Sequence, residues 1–321
     1  MTTQNHSGTR AAYLRLVRIP NVFTALADVM LGYLFVHHRL APVANFVWLA
    51  FASASLYMAG MVLNDVWDVA RDRVARPERP LPSGVISMAS ARRLGFSFLI
   101  LGILFGTAAG YWGAVPNVLR WRSGLVALLL ASAVVAYDAG LKRTVLGPLA
   151  MGSCRGLNVL LGMSCAAAAR RDIVFGFDSS ALLVAAAIGV YVAGITWFAR
   201  TESVASSRWQ LSAATVVMTT GLASLALLHR VAPRLGFRAR ISAETWCLLL
   251  FAIGFTVVRR CSRAVAKPTP QRVQAAVTSG IWSLIVLDAA LSLLVSRPIW
   301  AIVILALLAP TIVLAQWFKT T

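Results

Sequence analysis

Charge is what this 321-residue sequence has least of. Only 13% of its residues are Asp, Glu, Lys or Arg, against 59% hydrophobic, where a soluble domain carries roughly 25% charged residues. Such a chain cannot cover itself with a solvated surface, which excludes an ordinary soluble enzyme and points to a protein covered by lipid. Acids are the scarcest class, 11 Asp and Glu against 30 Lys and Arg. The formal net charge of +19 would suggest nucleic acid in a soluble protein. Here the basic residues lie mostly in short connections between apolar segments, with no arginine-rich tail and no aromatic-basic stripe, so nucleic acid is excluded as a partner. Cysteine is also sparse. Cys154, Cys165, Cys247 and Cys261 form neither a Cys-x-x-Cys pair nor a Cys/His ligand spacing, which removes thiolate metal sites and paired redox cysteines. The N-terminus lacks the charged head and short apolar core of a cleaved leader. Residues 1–17 are expected to form a polar cytoplasmic tail.

What the sequence has in abundance is long apolar runs. A spanning helix needs about 20 mostly apolar residues, and candidate segments fall at 19–36, 43–64, 92–113, 123–138, 145–166, 180–198, 210–229, 243–258, 275–295 and 298–318. They predict an all-α, polytopic membrane bundle of nine or ten transmembrane helices, forming a single domain over residues 1–321. With the N-terminus inside, 19 basic residues fall on the cytoplasmic side and 10 on the other, with Arg155 inside a segment. The positive-inside rule therefore places the long 65–92 connection in the cytoplasm, as expected of a multi-pass protein of a bacterial-type inner membrane. One internal repeat is visible: Tyr57-Met-Ala-Gly60 near the end of the second segment and Tyr191-Val-Ala-Gly194 near the end of the sixth. Two helices of the same orientation ending alike predict two pseudo-repeated halves around a central cavity.

The scarce acids concentrate at one place, Asn64-Asp65-Val-Trp-Asp68-Val-Ala-Arg-Asp72. On a helix, positions 65, 68 and 72 share one face, with Asn64 at its border. Three carboxylates so close repel one another unless a cation compensates them, and oxygen-only ligands suit Mg2+, which completes its shell with waters and phosphate oxygens. The plain alternative is a solvated helix end paired to Arg71, Arg73 and Arg76. Polar residues adjoining a membrane core are functional by default, which favours the metal site. After the cluster comes Arg76-Pro-Glu-Arg79-Pro80-Leu-Pro82-Ser83-Gly84, whose prolines and glycine rule out a continuous helix and predict a shaped loop.

These residues resemble a known family. The cluster is similar to the NDxxDxxxD motif of UbiA-type intramembrane prenyltransferases, and Arg79-Pro-Leu-Pro-Ser-Gly84 to their RPLPSG loop. Tyr137-Asp-Ala-Gly-Leu-Lys142-Arg143 resembles their Tyr/Lys signature after the fourth helix, and Arg18-Ile-Pro-Asn21 their opening. The resemblance implies a Mg2+-dependent transferase that moves a prenyl group from an isoprenyl diphosphate to an acceptor within the membrane. It implies Asn64, Asp65, Asp68 and Asp72 as ligands of Mg2+ or of its waters, and Lys142, Arg143 and Arg79 as grips on diphosphate oxygens. Tyr137 would steady the reacting centre or the phosphate, Asn21 would contribute to substrate binding, and Asp65, Asp68, Tyr137 and Lys142 would be the catalytic set. The family's second Asp-rich motif is reduced here to Ala199-Arg200-Thr201-Glu202. Either Glu202 holds a second ion or Arg200 replaces that ion by contacting the diphosphate directly.

Further polar residues lie within apolar segments. Arg155 and Asn158 are three apart, hence on one face, and are expected to line the cavity as substrate-binding groups. A buried arginine needs an acidic or phosphate partner, and Asp28 and Asp288 are both candidates. Two rivals to transfer stand open: a non-catalytic isoprenoid- or lipid-binding protein, favoured by the thinned second motif, and a transporter, favoured by the parallel repeat. The acceptor is not legible.

Overall fold

The computed structural model describes residues 11–112, 115, 118–167, 174–200, 207–231 and 239–320, with side chains described to residue 314. All of its extended elements are helices: α1 Ile19–His37, α2 Val43–Ala75, α3 Met88–Tyr111, α4 Arg120–Ala139, α5 Gly147–Met163, α6 Ser179–Ala199, α7 Arg208–Ser224, α8 Ala243–Ala266, α9 Pro270–Val295, α10 Pro298–Ala306 and α11 Leu308–Thr320. Each predicted apolar segment falls on these helices, the last on two of them, and the bundle fold is as the sequence implies. Seven are long and apolar enough to cross a membrane: α1 to α4, α6, α7 with its continuation to Arg230, and α9. α5 is shorter, at 17 residues. The last segment is broken at Leu307 into α10 and α11, because Pro310 has no N–H to give to the carbonyl of Ala306.

Local chemistry sets where helices begin. The Asp178 carboxylate accepts from the N–H of Ala181 at 2.7 Å, and the hydroxyls of Ser87 and Ser242 accept from the N–H of Ser90 and Thr245; each satisfies a donor the first turn would leave unpaired. At the other end of α2, the helix runs well past its apolar stretch to Ala75. Ala70, Arg71, Arg73 and Ala75 favour helix, and Pro77 then forbids it. The acidic cluster therefore lies wholly on a helix. The loop begins at Arg76, not at Asp65 as the hydropathy boundary implied.

α1 runs through the middle of the bundle, packed against α2, α5, α9 and α11. Its crossing with α5 is close because two glycines meet there. A Cβ on Gly32 would run into the carbonyl of Val159, and one on Gly162 into the carbonyl of Val29. Small residues at such a crossing let two backbones touch in lipid.

The ends of the bundle differ. At one end, residues 11–16 are helical, and Leu16 is fully buried against Val62, Val66, Leu81 and Ile86. The 76–87 loop is thus pinned by its own apolar residues. Its last turn needs Gly84, whose φ of 78° is left-handed. At the opposite end Arg122, which the 123–138 segment bound leaves in a connection, is buried at 0% exposure. α4 starts at Arg120, so Arg122 enters the bundle, where it donates to the carbonyls of Ser164 (2.8 Å), Gly176 (2.7 Å) and Ala166.

Candidate functional site

The end of α2, the start of α1, the 76–87 loop and the end of α4 converge on one charged cluster. Asp65, Asp68 and Asp72 share a face of α2, as their spacing predicts, and each has a basic partner. Arg18 Nη2 lies 3.0 Å from Asp65 Oδ1. Arg79 Nη1 lies 2.7 Å from Asp72 Oδ2 and 3.5 Å from Asp65 Oδ1, so the loop folds back onto the helix it leaves. Arg143 Nη2 stands 3.2 Å from Asp68 Oδ1.

Lys142 makes the densest contact. It stands on the 3-10 turn Leu141–Arg143 after α4, and its ammonium donates to Asn64 Oδ1 at 2.9 Å and Asp68 Oδ2 at 2.8 Å. Asp138 Oδ1 is 3.9 Å away, one turn back on α4. Asp65, Asp72 and Asp138 are nearly enclosed by protein, so these pairs are screened less than surface pairs.

The cluster forms the mouth of a cavity of about 640 Å³. Arg18, Arg71, Arg76, Arg79 and Arg200 line its mouth against Asp68, Asp72 and Asp138, which leaves an excess of positive charge. Arg200 also donates to the carbonyl of Thr144 at 2.6 Å, tying the end of α6 to the turn that carries Lys142. Farther in, the wall becomes apolar through Leu56, Leu130, Val134 and Met151, with Tyr137 near the mouth and Arg155 and Asn158 deeper.

A metal was expected at Asn64, Asp65, Asp68 and Asp72. Among the described residues no three acidic, His or Cys side chains converge on one point; the carboxylates are instead paired with Arg18, Arg79, Lys142 and Arg143. The donors nevertheless fit Mg2+. That ion needs only one or two carboxylates and takes the rest of its shell from waters and phosphate, and Lys142 already stands as a cation where an amide oxygen and a carboxylate oxygen meet.

Most of the sequence-derived set is brought together. Asn64, Asp68, Asp72, Arg79, Tyr137, Arg155, Asn158 and Arg200 line the cavity, and Asp65, Lys142 and Arg143 bond to members of that set or to its partners. Asn21 lies at the exposed start of α1, near Tyr57. Glu202 lies outside the described residues. Arg155 belongs to a separate deep group, where its partner is Asp28 at 2.7 Å. Two members of the cluster were not singled out from the sequence. Arg18, quoted above only as the first residue of Arg18-Ile-Pro-Asn21 and given no role there, is aimed by a left-handed backbone at φ 48° just before α1. Asp138 did carry a signal: an acid four residues before a lysine at a helix end.

The fold and the site together define a helical membrane bundle built around one cavity, with a charged mouth over an apolar wall. The profile described as "UbiA prenyltransferase family" matches residues 25–258, and the chain belongs to that family. Digeranylgeranylglyceryl phosphate synthase of Metallosphaera sedula is 31% identical over 151 residues, 47% of this chain and 50% of the relative. The Ignicoccus hospitalis synthase of that name is 36% identical over 158 residues, 49% of this chain and 48% of the relative. The aligned region thus spans about half the length of these curated relatives. Solved structures agree in fold. One described under the biosynthesis of digeranylgeranylglyceryl phosphate synthase in membranes has a TM-score of 0.63 at 17% identity, over 93% of this chain and 99% of that one. A UbiA homolog from Archaeoglobus fulgidus bound to DMAPP and Mg2+ has a TM-score of 0.56 at 17% identity, over 85% and 98%.

Proposed function

We infer that this chain transfers a prenyl group from an isoprenyl diphosphate to an acceptor within the membrane, as a Mg2+-dependent prenyltransferase. The observation that carries this reading is the surplus of cations over carboxylates at the mouth of an apolar cavity. A diphosphate head is drawn to such a mouth, and an isoprenoid tail to the wall of Leu56, Leu130, Val134 and Met151. Asn64, Asp65, Asp68 and Asp72 supply the oxygens that hold Mg2+, and bound Mg2+ neutralises charge on the departing diphosphate. Lys142, Arg143, Arg79, Arg18 and Arg200 donate to the phosphate oxygens, with the arginines able to do so in a two-pronged fashion. To reach them, Arg79 and Lys142 leave Asp72 and Asp68, whose oxygens are freed for the metal.

The bond between the allylic carbon and the diphosphate oxygen breaks with its electron pair kept by the diphosphate. The acceptor's nucleophile forms the new bond at that carbon and releases its proton. Donors fixed around the leaving oxygens provide the main acceleration. Tyr137, on the wall near the mouth, keeps the reacting carbon away from water. Arg200 stands for the second acidic motif by binding the diphosphate itself. The basic mouth faces the cytoplasm, following the charge asymmetry of the connections.

One observation favours a second reading, a binder without turnover: every carboxylate of the α2 face already has a protein cation. Purified protein in nanodiscs, given Mg2+, radiolabelled geranyl diphosphate and a lipid extract, separates the two. Labelled product together with released diphosphate supports transfer. Retained, unconverted donor would refute it.

A further inference from the structure

Below the charged mouth, the cavity wall carries a second polar set that the donor's diphosphate does not use. Arg155 of α5 donates to Asp28 Oδ2 of α1 at 2.7 Å. Asn158, one turn on, donates to the same oxygen at 3.0 Å and to the carbonyl of Ala25 at 2.9 Å. Ser53 of α2 donates to Asn158 Oδ1 at 2.7 Å. Arg155, Asn158, Ser53 and Tyr57 line the cavity, while Asp28 is fully buried behind them, with Asp288 of α9 beside it. Tyr57 precedes Asp65 by eight residues on α2, which sets this belt about 12 Å below the cluster at 1.5 Å per residue. That distance leaves room for a diphosphate, the carbon at which the bond forms and one small ring.

The set is underused as a structural tie. A guanidinium has five N–H donors, and among the described residues Arg155 gives one of them, to Asp28. The others stand on the wall of a cavity inside a membrane bundle, where unmatched donors are costly. α1 and α5 do not need Arg155 to hold them together. Asn158 already joins them twice, and the Gly32–Gly162 crossing brings their backbones into contact. An arginine fixed on one side by a buried acid, with its remaining donors on a cavity wall, is arranged to receive a ligand oxygen.

Charge decides which oxygen. At the mouth, cations outnumber acids; here the guanidinium is matched by Asp28, and no other basic side chain is bonded to the set among the described residues. A carboxylate or phosphate would bring a second negative charge toward Asp28 in a poorly solvating interior, where the one guanidinium bonded to the set is already matched. A hydroxyl brings none. It accepts from Arg155, since both amide protons of Asn158 are already given to Asp28 and Ala25, and donates to Asn158 Oδ1 or the Tyr57 oxygen. We propose that Arg155, Asn158, Ser53 and Tyr57 form the subsite for the acceptor's head, and that they select an uncharged, hydroxyl-bearing ring, a phenol or a cyclic polyol, over a carboxylate or phosphate. This rests on the transferase reading, in which an acceptor must reach the donor's allylic carbon from below.

The test is isothermal titration of the protein in nanodiscs holding Mg2+ and the unreactive donor analogue geranyl S-thiolodiphosphate. The probes are hydroquinone, myo-inositol and 4-hydroxybenzoate. The wild type binds hydroquinone or myo-inositol at least about tenfold more tightly than 4-hydroxybenzoate, and whichever binds tells phenol from polyol. Arg155→Met weakens that neutral probe by about 10- to 100-fold, the equivalent of one hydrogen bond from a charged donor, and leaves the affinity for the donor analogue within about twofold. If Arg155→Met does not fold, Tyr57→Phe serves, weakening the neutral probe and not the donor analogue. Equal or tighter binding of 4-hydroxybenzoate overturns the assignment, as does a wild type that binds no neutral probe or variants that bind it unchanged. A wild type that fails to bind the donor analogue counts against the transferase reading instead. Titration without the analogue then judges the subsite by itself.

Discussion

The ammonium of Lys142 sits between Asn64 Oδ1, at 2.9 Å, and Asp68 Oδ2, at 2.8 Å, joining two residues of α2 to a turn more than 70 positions later in the chain. On the transferase reading, lysine and a divalent ion compete for the same oxygens. Lys142→Met removes the competitor, so the Mg2+ concentration giving half-maximal activity falls severalfold. It also removes a phosphate donor, so kcat falls by about 100-fold. Mg2+ titrations at saturating geranyl diphosphate measure both. A higher Mg2+ requirement in the variant would show that Lys142 supports the metal instead of standing in for it.

Asp65→Ala and Asp68→Ala are expected to lower prenyl transfer by about 100- to 1,000-fold, and the double variant to abolish it. Radiolabel transfer in nanodiscs is the measurement. Full activity in the double variant is incompatible with the α2 face as the metal's ligand set.

Stripping metal should leave the protein folded. Each carboxylate of the α2 face is matched by Arg18, Arg79, Lys142 or Arg143, so EDTA changes Tm by less than about 2 °C. Mg2+ with geranyl diphosphate, at a hundredfold excess over Kd, stabilises by about 2.7 kcal/mol. A large Tm loss in EDTA alone would mean that the cluster is not balanced by its own cations.

Arg122 provides a contrast at the opposite end. Its guanidinium donates to three loop carbonyls and has 0% exposure. Arg122→Ala leaves those carbonyls unpaired, a loss on the order of 3 kcal/mol or more, and lysine cannot reproduce the fork. Thermal denaturation should show the loss in both variants, with the affinity for geranyl diphosphate unchanged.

Much of this molecule is legible in its sequence, and the parts that are not share a cause. Apolar runs located the helices because lipid leaves the backbone few alternatives, and the Asp65, Asp68, Asp72 spacing gave the shared face directly. Hydropathy ended α2 too early, since it measures transfer into lipid and not helix propensity; Arg71 and Arg73 leave the bilayer without leaving the helix. The choice between Asp28 and Asp288 for Arg155 was closed to sequence, because 127 positions separate Arg155 from Asp28 and only the crossing of α1 with α5 sets their register. Arg122 read as a topology charge because position in a connection says nothing of where a side chain turns.

Gly32 and Gly162 touch main chain to main chain between α1 and α5. Gly32→Leu should lower thermal stability by on the order of 3 kcal/mol, since a carbonyl cannot give way as a side chain can.

That contact also fixes a gauge. Asp28 stands one turn from Gly32 on α1 and Asn158 one turn from Gly162 on α5, so the level at which the two residues meet is set by the backbones and not by the packing of larger side chains. Changes at Leu130, Val134 or Met151 can widen or narrow the chamber while its depth stays constant. Descendants of this chain can therefore change the girth of the chamber without moving the plane in which Asp28 and Asn158 meet.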